Sequence, residues 1–144
     1  MKVSIQAYAN TISRLTEKLE EIGSSVDPFF QELKKAGQLG TVDEMDQSRL
    51  KEIKKQFQVA TDQYWALEKM VWNAKVPAKL IGKHQLLKRY LREYANQCQK
   101  MVDAVDDQTK KLDEVAFQES EHAQEAAMGQ MTKALTKIMS SLMG

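Results

Sequence analysis

One cysteine, two prolines and six glycines are all that this chain of 144 residues contains of the residue types that staple, kink or loosen a backbone. A lone Cys98 cannot close an intramolecular disulfide, so no disulfide framework argues for an oxidising compartment. So few turn formers, with aromatics at 7%, suit helical bundles and coiled coils more than a β-sandwich, which needs frequent turns. The chain also lacks an apolar run of the roughly 18 residues needed to span a bilayer. Its start, Met1-Lys2-Val3-Ser4-Ile5-Gln6, lacks the apolar core of a secretory signal. The expectation is a cytoplasmic protein, with export by a signal-independent route left open. The length suits one domain, residues 1–144.

What remains is apolar periodicity at helical spacing. Ile5, Tyr8, Ile12, Leu15, Leu19, Ile22, Val26, Phe29 and Leu33 advance by steps of three and four, in register from Met1. They predict a first helix over about 3–36, with a kink near 24–28 where Asp27 could cap a new helix and Pro28 could open it. Thr41 and Glu44 have capping-box spacing. They predict a second helix over 42–74, with a seam of Leu50, Ile53, Phe57, Ala60, Tyr64, Leu67, Val71 and Ala74.

After Pro77 no further proline interrupts the chain, and the simplest reading is one helix over 78–142, which would span roughly 90 Å. Its seam changes period on the way. Leu87, Leu91, Tyr94, Cys98, Met101 and Val105 follow a heptad, with a polar residue, Gln108, in the next slot. From Leu112 through Ala116, Ser120, Ala123, Ala127, Met131, Ala134, Ile138 and Leu142 an eleven-residue spacing fits better. The expected architecture is therefore all-α: an antiparallel helical hairpin plus one long third helix, a three- or four-helix bundle with coiled-coil character. A fold-back near Leu112 or at Gly129 would give the compact four-helix form. Otherwise the third helix outruns the hairpin and needs a partner to cover it.

The net charge of +1 conceals a division along the third segment. Lys75 to Arg92 holds six cations and no acid, whereas Asp103 to Glu125 holds eight carboxylates against Lys110 and Lys111. Two copies laid antiparallel would set each block opposite its complement, which motivates a homodimer, and a protein partner would serve equally. The basic 75–92 segment also suggests nucleic-acid binding, but the near-neutral total and the acidic block argue against it.

Residues that bear chemistry are few. Glu119 and His122 have the spacing of half a di-iron site, but His84 is preceded by Ile81 where the second half needs a glutamate. Gly37-Gln38-Leu39-Gly40 lacks the Lys-Ser or Lys-Thr of a phosphate loop, and Cys98 has no neighbour that would activate it. No catalytic, cofactor-binding or metal residue is expected, and no enzyme. The function that fits is a non-enzymatic protein-protein interaction module: an adaptor, assembly factor or chaperone-like protein. Candidate partner-binding residues are Trp65, Trp72, Lys83, Lys88, Arg89 and Arg92, together with Met131, Ile138 and Leu142 in a methionine-rich tail that could also lie on a membrane surface. The Trp72-Asn73-Ala74 junction superficially resembles the Trp-x-Gly turn of small type VII secretion substrates, with Ala74 in the glycine's place and a much longer chain. That resemblance implies, as an alternative, a secretion-linked helical protein.

Overall fold

The seams legible in the sequence become the buried faces of four helices. The structure, a computed structural model, describes residues 4–143: α1 (Ile5–Leu39), α2 (Gln47–Trp72), α3 (Ile81–Asp103) and α4 (Glu114–Met143). Single turns of 3₁₀ helix, Val42–Glu44 and Ala78–Leu80, lead into α2 and α3. Between α3 and α4 lies a miniature antiparallel hairpin, β1 (Val105–Asp106) and β2 (Lys111–Leu112), with Val105 opposite Leu112. The fold is an all-α helical bundle, up-down-up-down, in which consecutive helices pack together and α1 and α4 touch far less.

The long third helix is thus two helices, and the fold-back near Leu112 is the form adopted. Its cause is local chemistry. The Asp106 carboxylate accepts from the backbone N–H groups of Gln108 and Thr109 at 3.0 and 3.1 Å, an Asx turn that competes with helix. Lys110 takes positive φ (57°), and Asp113 then caps α4 by accepting from the Ala116 N–H at 3.0 Å. Gln108 is polar because it sits in this turn, and the change of period near Leu112 marks the change of helix. Lys54 of α2 fixes the turn by donating to the Val105 carbonyl at 2.7 Å. Asp113→Ala removes the cap and should cost about 1 kcal/mol, a fall of about 3 °C in a thermal melt followed by circular dichroism.

The expected kink region at 24–28 stays helical: α1 runs through Pro28, which is exposed with Ser24, so water can serve the carbonyl that loses its partner. Two other boundaries move. The first helix ends at Gly40, whose left-handed conformation (φ 68°) closes it, rather than at Gly37. Gly37 lies inside the helix with Leu112 packed closely on it: a Cβ there would stand 3.2 Å from the Leu112 Cδ2. The Thr41–Glu44 capping box does not form, since the Thr41 hydroxyl donates back to the Ala36 carbonyl, and α2 starts instead after Asp46.

The core has two lobes. Tyr8, Ile12, Leu15, Tyr64, Val71, Leu87, Leu91, Met131 and Ile138 fill the half nearer the α2–α3 connection. Leu33, Leu50, Ile53, Phe57, Met101, Val105 and Phe117 fill the half nearer the β-hairpin.

Candidate functional site

Because the helices alternate in direction, residues distant in sequence meet at the two ends of the bundle. The end carrying the α2–α3 connection comprises residues 4–22, 65–92 and 129–143. It gathers Arg14 and Lys18 from α1, Lys69 from α2, Lys75 and Lys79 from the connection, Lys83, Lys88, Arg89 and Arg92 from α3, and Lys133 and Lys137 from α4. Among the described residues of this end, eleven cations face four carboxylates, Glu17, Glu20, Glu21 and Glu68. The other half holds sixteen carboxylates and nine cations. The molecule is therefore an electrostatic dipole whose poles are the ends of the bundle.

The basic end also carries most of the large apolar side chains left in solvent. Ile5, Trp72, Ile81, Leu86, Met139 and Met143 are exposed there, against Leu39, Val59 and Val115 elsewhere among the described residues. Trp72 is 51% exposed at the end of α2, and two cations of α3 hold its ring: the Lys88 Nζ lies 3.8 Å and the Arg92 guanidinium carbon 4.7 Å from the ring centroid. These contacts orient an aromatic side chain that remains half accessible. Arg92 also donates to Glu68 at 3.2 Å, and Lys18 pairs with Glu21 at 3.3 Å, so two of the four carboxylates of this end are already engaged. Lys83 donates to the Ser141 hydroxyl at 3.1 Å and ties α3 to the end of α4. Arg89 lies in solvent.

The sequence-derived partner residues therefore divide. Trp72, Lys83, Lys88, Arg89 and Arg92 are brought together on one end. Trp65 is half-buried against the core and is not part of the exposed set. Met131 and Ile138 are corrections: both are fully buried, because α4 folds back on α3 and turns its eleven-residue seam inward, so neither is free to meet a partner. Leu142 is half-buried against the same core, and the large apolar side chains of the described tail that stand in solvent are Met139 and Met143. The antiparallel homodimer rested on one rod carrying both charge blocks. That rod is absent, the blocks lie at opposite ends, and Glu121 of the acidic block pairs within the chain with Lys34 of α1 at 2.7 Å. The Trp72 junction is an eight-residue connection rather than a tight turn.

Beneath the basic end sits His84, buried and held from both sides. A carbonyl can only accept, so Nε2–H donates to the Val71 carbonyl at 2.9 Å, leaving Nδ1 to accept from the Tyr8 hydroxyl at 2.7 Å. Burial, with the nearby Lys88 charge, depresses the His84 pKa below the ordinary 6.5, and burial raises that of the Tyr8 hydroxyl to about 12. His84 thus ties α1, α2 and α3 together as a neutral ring. The unfolded chain binds a proton near pH 6.5 that the folded chain resists, so stability present above that pH is lost as pH falls toward the lower folded value. The melting temperature should drop between pH 7 and 5, and His84→Gln, though less stable throughout, should flatten that slope. Glu32 and Asp106, whose pKa values are lowered by bonding to Arg49 and to the Thr109 backbone N–H respectively, act at more acid pH and do not obscure this window.

His122 lies in solvent, and among the described residues no three His, Cys, Asp or Glu side chains gather as metal ligands. Burial raises the Cys98 thiol to about 12, the direction opposite to nucleophile activation. Among the described residues no helix is long and apolar enough to cross a membrane. Compared with protein families, with curated proteins and with solved structures, the chain matches none.

Proposed function

We propose that this protein is a non-enzymatic interaction module, an adaptor or assembly factor, that engages an acidic protein surface through the basic end of its bundle. The observation that carries this is composition in space: eleven cations against four carboxylates, two of them paired, with six exposed apolar side chains at the same end. Aromatic, methionine and arginine side chains are the types enriched at protein interfaces, and a half-exposed ring pre-oriented by two cations is a suitable anchor. A nucleic-acid backbone would use the cations but has no phosphate contact to offer Ile5 and Ile81, and the acidic pole would repel a polyanion. Buried titratable groups support the non-enzymatic part: Tyr8 and His84 serve each other, while Tyr64, Tyr94 and Cys98 are all driven by burial toward their neutral forms.

The test is capture by the full chain from its host's lysate, followed by binding of the purified captured protein between about 0.1 and about 0.5 M salt. Parallel arms use vesicles containing phosphatidylserine and a duplex DNA. A purified acidic protein that binds in a salt-sensitive way, more tightly than either polyanion, is expected. Vesicles or DNA binding more tightly than any protein would contradict the proposal.

A further inference from the structure

A second feature, on different residues, lies midway along the bundle where α1 and α4 part. A cleft of about 430 Å³ opens there and reaches all four helices. Protein interiors pack as densely as organic crystals and leave few voids larger than a water molecule, whereas pockets for small ligands measure about 300 to 1,000 Å³. Small residues make the room: Gly23 on α1 and Ala60 on α2 face the space, and a Cβ at Gly23 would approach nothing nearer than the Tyr64 hydroxyl at 3.9 Å.

The floor and the mouth differ in chemistry. Phe57, Tyr64, Tyr94, Cys98 and Met101 form an aromatic and sulfur-rich floor. Burial pushes the Tyr64 hydroxyl and the Cys98 thiol up to about 12 and the Tyr94 hydroxyl higher still, so the floor is uncharged over the physiological range. The mouth carries Asp27 from α1 with Glu121 and Glu125 from α4. Lys34 neutralises Glu121, Asp27 accepts from the Gln31 amide at 3.2 Å, and Glu125 is exposed, so the mouth keeps an excess of negative charge. The Lys34–Glu121 pair also bridges α1 to α4 at one edge of the opening. A partner helix, about 10 Å across, would fit only about one turn into that volume, whereas a single hydrocarbon chain fits.

We infer that the cleft binds a small cationic amphiphile, an apolar chain or ring inserted against the aromatic floor with its amine or quaternary ammonium held at the acidic mouth. Apolar burial supplies the affinity and the mouth selects the sign of the head group. The site is independent of the basic end, whose exposed methionines give an internal control.

The experiment titrates decyltrimethylammonium, decanol and decanoate, each below its micellar concentration, into full-length protein carrying ¹³C-methyl methionine. Met128 lines the cleft with Met101, whereas Met139 and Met143 report on the basic end. Decyltrimethylammonium should shift the Met101 and Met128 signals saturably, with decanoate at least tenfold weaker there. Asp27→Asn with Glu125→Gln should shrink that preference below threefold. Gly23→Leu, which fills the space in a helix that tolerates it, should abolish the shifts while leaving the melting temperature equal or higher. Signals of Met101 and Met128 that move with none of the three compounds, or that move as readily with decanol or decanoate, would overturn the inference, as would binding undiminished in a folded Gly23→Leu variant.

Discussion

Met131→Asp should leave no cooperatively folded protein at 25 °C, whereas Met139→Asp, eight residues further along α4, should melt within a few degrees of the wild type. Met131 is fully buried in the lobe formed with Tyr8, Leu87 and Leu91. Losing its side chain alone is worth about 2–5 kcal/mol, and an unpaired carboxylate in that position adds several more. Since small domains are stable by about 5–15 kcal/mol in total, the sum removes most or all of the margin. Met139 is 45% exposed on the same helix, and a charge there stays in water. Circular dichroism melts of the two variants decide whether α4 is core or a tail displayed for partners. Equal melting of both would mean that α4 does not pack as described.

Charge reversal at Lys83, Lys88 and Arg89 to glutamate should weaken binding of the acidic partner by at least about 100-fold, on the order of 3 kcal/mol, while the fold persists. Each side chain lies at or near the surface, so the change of six charges acts on the field of the basic end rather than on packing. Loss of the Lys88 contact also removes one of the two cations that hold the Trp72 ring, leaving Arg92 alone on it. The matched control reverses Lys51, Lys55 and Lys100, exposed cations of the acidic half, and should leave affinity within about threefold. Calorimetric titration of the purified partner with both triple variants separates a local interface from a general charge effect.

These two predictions fall where sequence and structure divide. The seams of α1 and α2 were legible because a helix packed on one face must repeat apolar residues at three and four, and Ile12, Leu15, Leu33, Leu50, Ile53 and Val71 are all buried as that spacing requires. The eleven-residue run of α4 was equally legible: Ser120, Ala127, Met131, Ala134 and Ile138 are all buried. The break between α3 and α4 was harder to read. It has no proline or glycine to announce it, and depends on Asp106 and Asp113, whose carboxylates favour an Asx turn and a helix cap only when the backbone has already left the helix. The polar residue Gln108 in a heptad slot and the change of period at Leu112 were the available signals. Pro28 marks no boundary, since an exposed proline can sit inside a helix whose core contacts outweigh one lost hydrogen bond. The charge blocks could be counted along the chain, but their assembly with Arg14, Lys69, Lys133 and Lys137 into one pole required the up-down-up-down topology. The cleft required it too, because its walls come from four helices.

The topology itself is open to one direct measurement. In a Cys98→Ser background, spin labels placed at Lys79→Cys and Met139→Cys would sit on the same end of the bundle, in the 3₁₀ turn that leads into α3 and near the end of α4. Neighbouring helix axes lie 8–10 Å apart, so pulsed electron-electron resonance on a spin-diluted sample should give one distance below about 25 Å. A continuous helix would place the two labels about 90 Å apart, and a distribution without the short distance would contradict both the four-helix bundle and the basic pole built on it.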